Sequence, residues 1–267
     1  MSHFDRFRLD NWVINLAHRT DRMAHANQQF ARANLPVDRF EAFLPEEWPG
    51  PEEKVARIRA RTPGAIGCYQ SQTHVIRTAV GSDRIVGVFE DDVCFCEDLQ
   101  DRLAYLEEHL TWDWDVLYLG ATFHVPGVWY ANPDCAAWHH RGRDVEPTDD
   151  PHILRVFGEW GTYAYFVNGR NARKVLDALD EMLPNSDGID HNFIRIGDAL
   201  NCYCLVPGAA WQMDNASDIG TGGFTHFSHF KKLGPYVWTE RMEDFDPSTF
   251  DWEKGGDRGD QTPQPVR

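Results

Sequence analysis

Between Val86 and Cys96 the chain reads "VGVFEDDVCFC", which sets three adjacent carboxylates, Glu90, Asp91 and Asp92, at the end of an apolar run. Carboxylates repel one another and lose hydration on burial, so nothing local in the chain rewards that placement. A divalent cation would. If the strand persists through the triplet, alternation turns Glu90 and Asp92 to one side and Asp91 to the other, so one pair can face a single ion. Hard oxygen donors suit Mg2+ or Mn2+, which often keep positions open for water and substrate phosphates. A nucleotide diphosphate would complete that shell. The plain alternative is a solvated acidic loop following a strand.

Cysteines at 68, 94, 96, 135, 202 and 204 include two C-x-C pairs. Each pair puts its thiols on one face of a strand, and the two pairs could assemble a four-thiolate zinc site; small buried free thiols are the commoner use of such residues. Other chemistries lose support. Neither G-x-G-x-x-G nor G-x-x-x-x-G-K-[ST] is present, against hydride transfer and P-loop hydrolysis. G-x-S-x-G and H-E-x-x-H are missing too, against serine hydrolases and common zinc proteases.

The elements that must position these groups alternate. "NWVINL" reads as a strand, followed by a helix whose Met23, Ala26, Phe30 and Ala33 share one face. "VDRFEAF" is a second strand, and Pro45, Pro49, Gly50 and Pro51 mark a loop. Thr62-Pro63 opens a helix running to about Val80, with Thr62 as cap. "RIVGVF" leads into the acids, Leu99, Leu103, Leu106 and Leu110 stripe the next helix, and "DVLYLG" is another buried strand. From Ala121 to Pro151 the pattern dissolves into a long excursion. Order returns with the strand "TYAYFVN" and an amphipathic helix carrying Ala172, Val175, Leu176, Leu179 and Leu183, for which Asn168 is the expected cap. "GIDHNFIRIGDAL" reads as a helix and "NCYCLVP" as the last clear strand. The tail from about Asp244 carries no packed fold of its own on this reading.

Strands alternating with helices predict an α/β fold, a single Rossmann-like domain over residues 1–243 with a mostly parallel central sheet covered on both faces. Ligands in such sheets bind beyond the carboxyl ends of strands, where Glu90 to Asp92 fall. The composition fits one sizeable core: 267 residues, 42% hydrophobic and 13% aromatic. Lys and Arg number 26 against 42 Asp and Glu, a net charge of -16 that repels nucleic acid and anionic lipid surfaces. No apolar run approaches the roughly 20 residues of a membrane span, and "MSHFDRFRLDNW" lacks a signal-peptide core, so a cytoplasmic location is expected.

Five blocks, "VINLAHRTDR", "TPGAIGCYQS", "VFEDDV", "WDVLYLG" and "GTYAYFVNGRNARKVL", come in the order seen in glycosyltransferase family 25, which the chain resembles over roughly Asn11 to Ile219. "GIDHNF" and the spacing of Pro207, Gln212 and Ser217 are similar to that family's C-terminal signals. One position departs from the pattern: where the family usually follows G-C-x-x-S with His, this chain has Gln72, with His74 two places on.

The resemblance implies a GT-A type fold, a UDP-galactose or UDP-glucose donor, a glycan or other hydroxyl-bearing acceptor, and Mn2+ (or Mg2+) on the acidic motif. Asp92 with Glu90 or Asp91 is then the metal and donor anchor. It places Asn15, Leu16, Arg19 and Arg22 beside the nucleotide, with Gly67 and Ser71 of "TPGAIGCYQS" also on the donor side. Arg suits phosphate through its forked donors. Inverting displacement requires a base, for which Asp190 is the first candidate and His191 the second; Asp190 as a helix-start charge is the bland alternative. His226 and His229 have the spacing to offer a further metal ligand, and Trp129, Trp138 or Trp160 to stack on a sugar ring. Two rivals stand beside this reading. A Mg2+-dependent phosphoesterase needs a second acidic cluster, and a sugar-binding protein without turnover would draw on the Gln72 departure.

Overall fold

A computed structural model describes residues 9–110, 113–120, 145–158, 161–216, 218–219, 224–225, 239–251 and 256–257. Strands β1 (Leu9–Asn15), β2 (Asp38–Glu41), β3 (Ile85–Glu90), β5 (Val116–Tyr118), β6 (Val145–Pro147), β7 (Ile153–Val156), β8 (Ala164–Asn168) and β9 (Cys202–Leu205) form one sheet in the order β2-β1-β3-β8-β5-β9-β7-β6. Six strands run the same way, as expected of an α/β fold. The other two, β8 and β7, are inserted antiparallel. Periodicity does not encode direction, so those reversals were not readable from the chain. A smaller sheet pairs β4 (Val93–Phe95) with β10 (Ala210–Gln212).

Alternation along each central strand divides the core in two. Val86, Val88, Tyr165 and Val167 face one layer, built from α3 (Gly64–Arg77), α5 (Ala172–Met182) and α6 (Ile189–Ile196). Ile85, Phe89, Ala164 and Phe166 face the other, built from α1 (Thr20–Arg32) and α4 (Leu99–His109). Nearly every residue of β3 up to the acids is therefore buried, which is why the strand reads as an unbroken apolar run. A short helix α2 (Ala56–Arg61) precedes α3.

Several boundaries shift from expectation. Within the expected excursion, residues 145–147 form the edge strand β6, paired with β7 just beyond it, and a three-residue strand ending in Pro147 is too short to show a period; residues 121–144 lie outside the described residues. The residue capping α5 is Asn171; Asn168 ends β8 and its Oδ1 accepts from the Arg170 amide at 3.2 Å instead. Thr62 makes no side-chain cap, since Pro63 occupies that position at the start of α3. β9, the strand of "NCYCLVP", is followed by the three-residue β10, too short to show a period. Among the described residues no helix is long and apolar enough to cross a membrane.

Candidate functional site

β3 ends at Glu90, Asp91 and Asp92 make a turn, and β4 begins at Val93. The turn ends the strand before the alternation can separate the triplet, and all three carboxylates line one cleft. Glu90 and Asp92 both accept from Gln212 Nε2, at 2.9 and 3.4 Å. Asp91 accepts from Asn15 Nδ2 at 2.6 Å and from Arg22 at 2.9 Å, and the same guanidinium reaches Asp92 at 3.5 Å. Gln212 reaches the acids because β10 pairs with β4 and sets Gln212 opposite Val93.

These groups line a cleft of roughly 720 Å³ at the carboxyl end of β3. One wall is apolar, from Ile14, Leu16, Phe43 and Leu44. Gln72, Thr162 and Asp190 also line the cleft. Among the described residues five carboxylates line it, Glu90, Asp91, Asp92, Asp190 and Asp218, against the guanidinium of Arg22, with Arg19 pairing with Asp218. Burial, then Asp92, Asp190 and Asp91, push the Glu90 carboxyl well above the ordinary carboxylate range. Burial also raises Asp91, while Arg22 and Asn15 pull it back down.

The expected site residues sort into liners and supports. Leu16, Arg22, Glu90, Asp91, Asp92 and Asp190 line the cleft. Asn15 is a support, buried and spanning Asp91, the Arg19 carbonyl at 3.0 Å and Arg39 Nε at 3.1 Å. Arg19 forks onto Asp21 and pairs with Asp218. Gly67 and Ser71 build the wall from behind. Ser71 Oγ donates to the Gly67 carbonyl at 2.6 Å and accepts from the Phe43 amide at 2.9 Å, and a Cβ on Gly67 would sit 2.3 Å from the Phe43 carbonyl oxygen.

His191 is not a liner of the cleft: it points at Asp187, 3.8 Å away, because the turn of α6 that aims Asp190 inward rotates the next residue off that face. Burial lowers its pKa. His226, His229, Trp129, Trp138 and Trp160 lie outside the described residues. His74 does not replace the missing family histidine, since its ring lies 5.2 Å from Phe40 and 5.4 Å from Phe43. Gln72 itself is built into the site, with Nε2 at 3.3 Å from Glu90 Oε1 and 3.1 Å from Thr162 Oγ1. Thr162, whose hydroxyl donates to Asp190 Oδ1 at 2.5 Å, and Asp218 carried no motif strong enough to single them out.

The four-thiolate zinc site is ruled out for the C-x-C pairs. Cys202 and Cys204 sit in the core layer of α3, α5 and α6, whereas Cys96 sits in the layer across the sheet. Burial pushes the Cys96 and Cys202 thiols up to about 12, away from the thiolate that zinc requires. Among the described residues no three His, Cys, Asp or Glu side chains gather as a ready-made metal cage. What the cleft does offer a hard cation is oxygen donors and an excess of negative charge, which fits Mg2+ or Mn2+ completing its shell from water and ligand.

An α/β domain with an anionic cleft at the carboxyl end of a central strand defines a class that holds its ligand beyond the sheet edge. The chain belongs to glycosyltransferase family 25 (LPS biosynthesis protein), whose sequence model matches residues 8–189, more than half of its length. No curated protein matches the chain. Among solved structures it is similar to a glycosyltransferase involved in the glycosylation of the major capsid of PBCV-1, with a TM-score of 0.33 and 9% identity. That match covers 65% of this chain and 65% of the other, so it spans just under two thirds of that protein.

Proposed function

We propose that the protein transfers a hexose, galactose or glucose, from a UDP-sugar to a hydroxyl of a glycan acceptor with inversion, using Mn2+ or Mg2+ held by Asp92 and Glu90. The observation that carries this reading is the charge of the cleft, five carboxylates to one guanidinium among its described lining residues. A diphosphate enters such a field only in company with a cation. When bound, that cation supplies Lewis-acid neutralisation of the charge growing on the leaving nucleotide.

The chain's own residues supply the rest. Gln212 holds Glu90 and Asp92 side by side, while Asn15 and Arg22 engage Asp91, with Arg22 also reaching Asp92. The apolar wall of Ile14, Leu16, Phe43 and Leu44 gives a planar base a surface to lie against. Asp190 takes the proton of the acceptor hydroxyl as its oxygen bonds to the anomeric carbon. The bond from that carbon to the diphosphate oxygen breaks, and its electron pair leaves with UDP. The family's description, LPS biosynthesis, makes a bacterial surface glycan the first acceptor class to try, and the cytoplasm is the compartment this reading proposes.

Thermal melts against UDP-sugars with and without Mn2+, alongside a UDP-release assay, test this. A UDP-sugar at about 100 times its Kd should stabilise the protein by about 2.7 kcal/mol in Mn2+, and Asp92→Asn should lose the metal-dependent part. An unaltered response in Asp92→Asn would move the cation elsewhere. Binding without UDP release from any acceptor would favour a sugar-nucleotide-binding protein without turnover.

A further inference from the structure

We infer that Thr162 and Gln72 are positioning residues that hold Asp190 in register with Glu90 for sugar transfer, an inference that rests on the reading of Asp190 as the base. The geometry is a hydrogen-bonded chain with a fixed polarity. Tyr165 donates its O–H to Gln72 Oε1 at 2.7 Å, so the amide must turn its NH2 the other way. That NH2 reaches Thr162 Oγ1 at 3.1 Å and Glu90 Oε1 at 3.3 Å. With its oxygen accepting from Gln72, the Thr162 hydroxyl sends its own proton to Asp190 Oδ1, at 2.5 Å. The Thr162 amide donates to the same oxygen at 3.2 Å.

Two donors from one residue therefore fix Asp190 Oδ1, and the carboxylate presents its second oxygen to an acceptor hydroxyl. The amide of Gln72 touches both the cation-side carboxylate and the group that orients the base. Gln72 and Thr162 are each 1% exposed, and Gln72 comes from α3 while Thr162 leads into β8, so the frame is rigid on both sides. β8 is locked to the acids directly, because the Glu90 amide donates to the Tyr163 carbonyl at 2.9 Å. Gln72 is thus a working member of this chain's site at the position where the sequence departs from the family pattern.

The variants Thr162→Val, which keeps shape and removes the hydroxyl, and Thr162→Ser, which restores it, test the inference beside Asp190→Asn. UDP release from UDP-galactose in Mn2+ with water as acceptor gives kcat and donor KM without knowledge of the glycan. Thr162→Val should lower kcat on the order of 10- to 100-fold, as expected for a misplaced catalytic group, with donor KM within about twofold. Thr162→Ser should recover turnover to within about threefold. A crystal structure of Thr162→Val should show the Asp190 carboxylate turned from its position, and that arm needs no turnover. A wild-type rate in Thr162→Val while Asp190→Asn is inactive, or an unmoved carboxylate in the crystal, overturns the inference. Normal turnover in Asp190→Asn instead removes the base reading itself, and the two failures are distinguishable.

Discussion

Gly67→Ala separates a glycine that touches the ligand from one that lets a wall approach. The added Cβ would lie 2.3 Å from the Phe43 carbonyl oxygen and 3.2 Å from its carbon. Ordinary contact begins near 3.4 Å, so the carbonyl must retreat by about 1 Å. It cannot swing freely, because the Phe43 amide is tied to Ser71 at 2.9 Å and the Ala42 amide to the Asn15 carbonyl at 3.0 Å. Overpacking costs about 1–3 kcal/mol, and alanine returns about 1 kcal/mol of helix propensity in α3. The net loss is about 1 kcal/mol, or about 2–4 °C in Tm for a chain of this size. Ligand binding suffers more in proportion. A gap of about 0.5–1 Å forfeits a quarter to a half of each dispersion contact, so UDP titrated in Mn2+ should bind about tenfold more weakly, about 1.4 kcal/mol. Calorimetric titration of UDP and a thermal melt read the two quantities separately. Wild-type UDP affinity in a variant whose Tm has fallen as expected would show that the Phe43 wall carries no ligand contact. An unchanged Tm would show that the loop gives way freely.

Two further outcomes follow from buried charge. Arg102 is fully buried, donating to Asp98 at 2.7 Å and to the Pro207, Gly208 and Thr239 carbonyls at 2.9 Å, while Asp98 also accepts from the Met242 amide. Asp98→Ala strands that guanidinium and should cost about 3–5 kcal/mol in urea denaturation; a loss under about 1 kcal/mol would mean the charge is compensated without Asp98. Arg57, at 2.6 and 2.8 Å, and Arg61, at 2.9 Å, hold the Asp187 carboxyl below the ordinary carboxylate range, the Arg57 bonds contributing most. A depressed carboxylate stabilises the fold above its unfolded pKa of about 3.9 and loses that contribution as pH falls through the lower folded value. Because both arginines are well exposed, Asp187→Asn should cost about 1 kcal/mol at pH 7, and the difference should shrink away as pH falls below the unfolded value and through the depressed folded one. A deficit that persists there would trace to packing instead.

The chain by itself determined the alternation of strands and helices, the burial of "VGVF" and the placing of the three acids at its end, because side-chain period and hydrophobicity are local properties. Ordered motifs also carried the family, which the match over residues 8–189 shows. Tertiary structure alone decided the reversal of β7 and β8, the separation of the C-x-C pairs into opposite core layers, and the turning of His191 toward Asp187. It also brought Gln212 to the acids and Thr162 to Asp190, across separations of 122 and 28 residues. The physical reason is that a hydrogen bond between distant residues leaves no period in the sequence. Gln72 shows the difference most plainly: in the sequence it is a departure from a pattern, and in the fold its amide joins the two halves of the site.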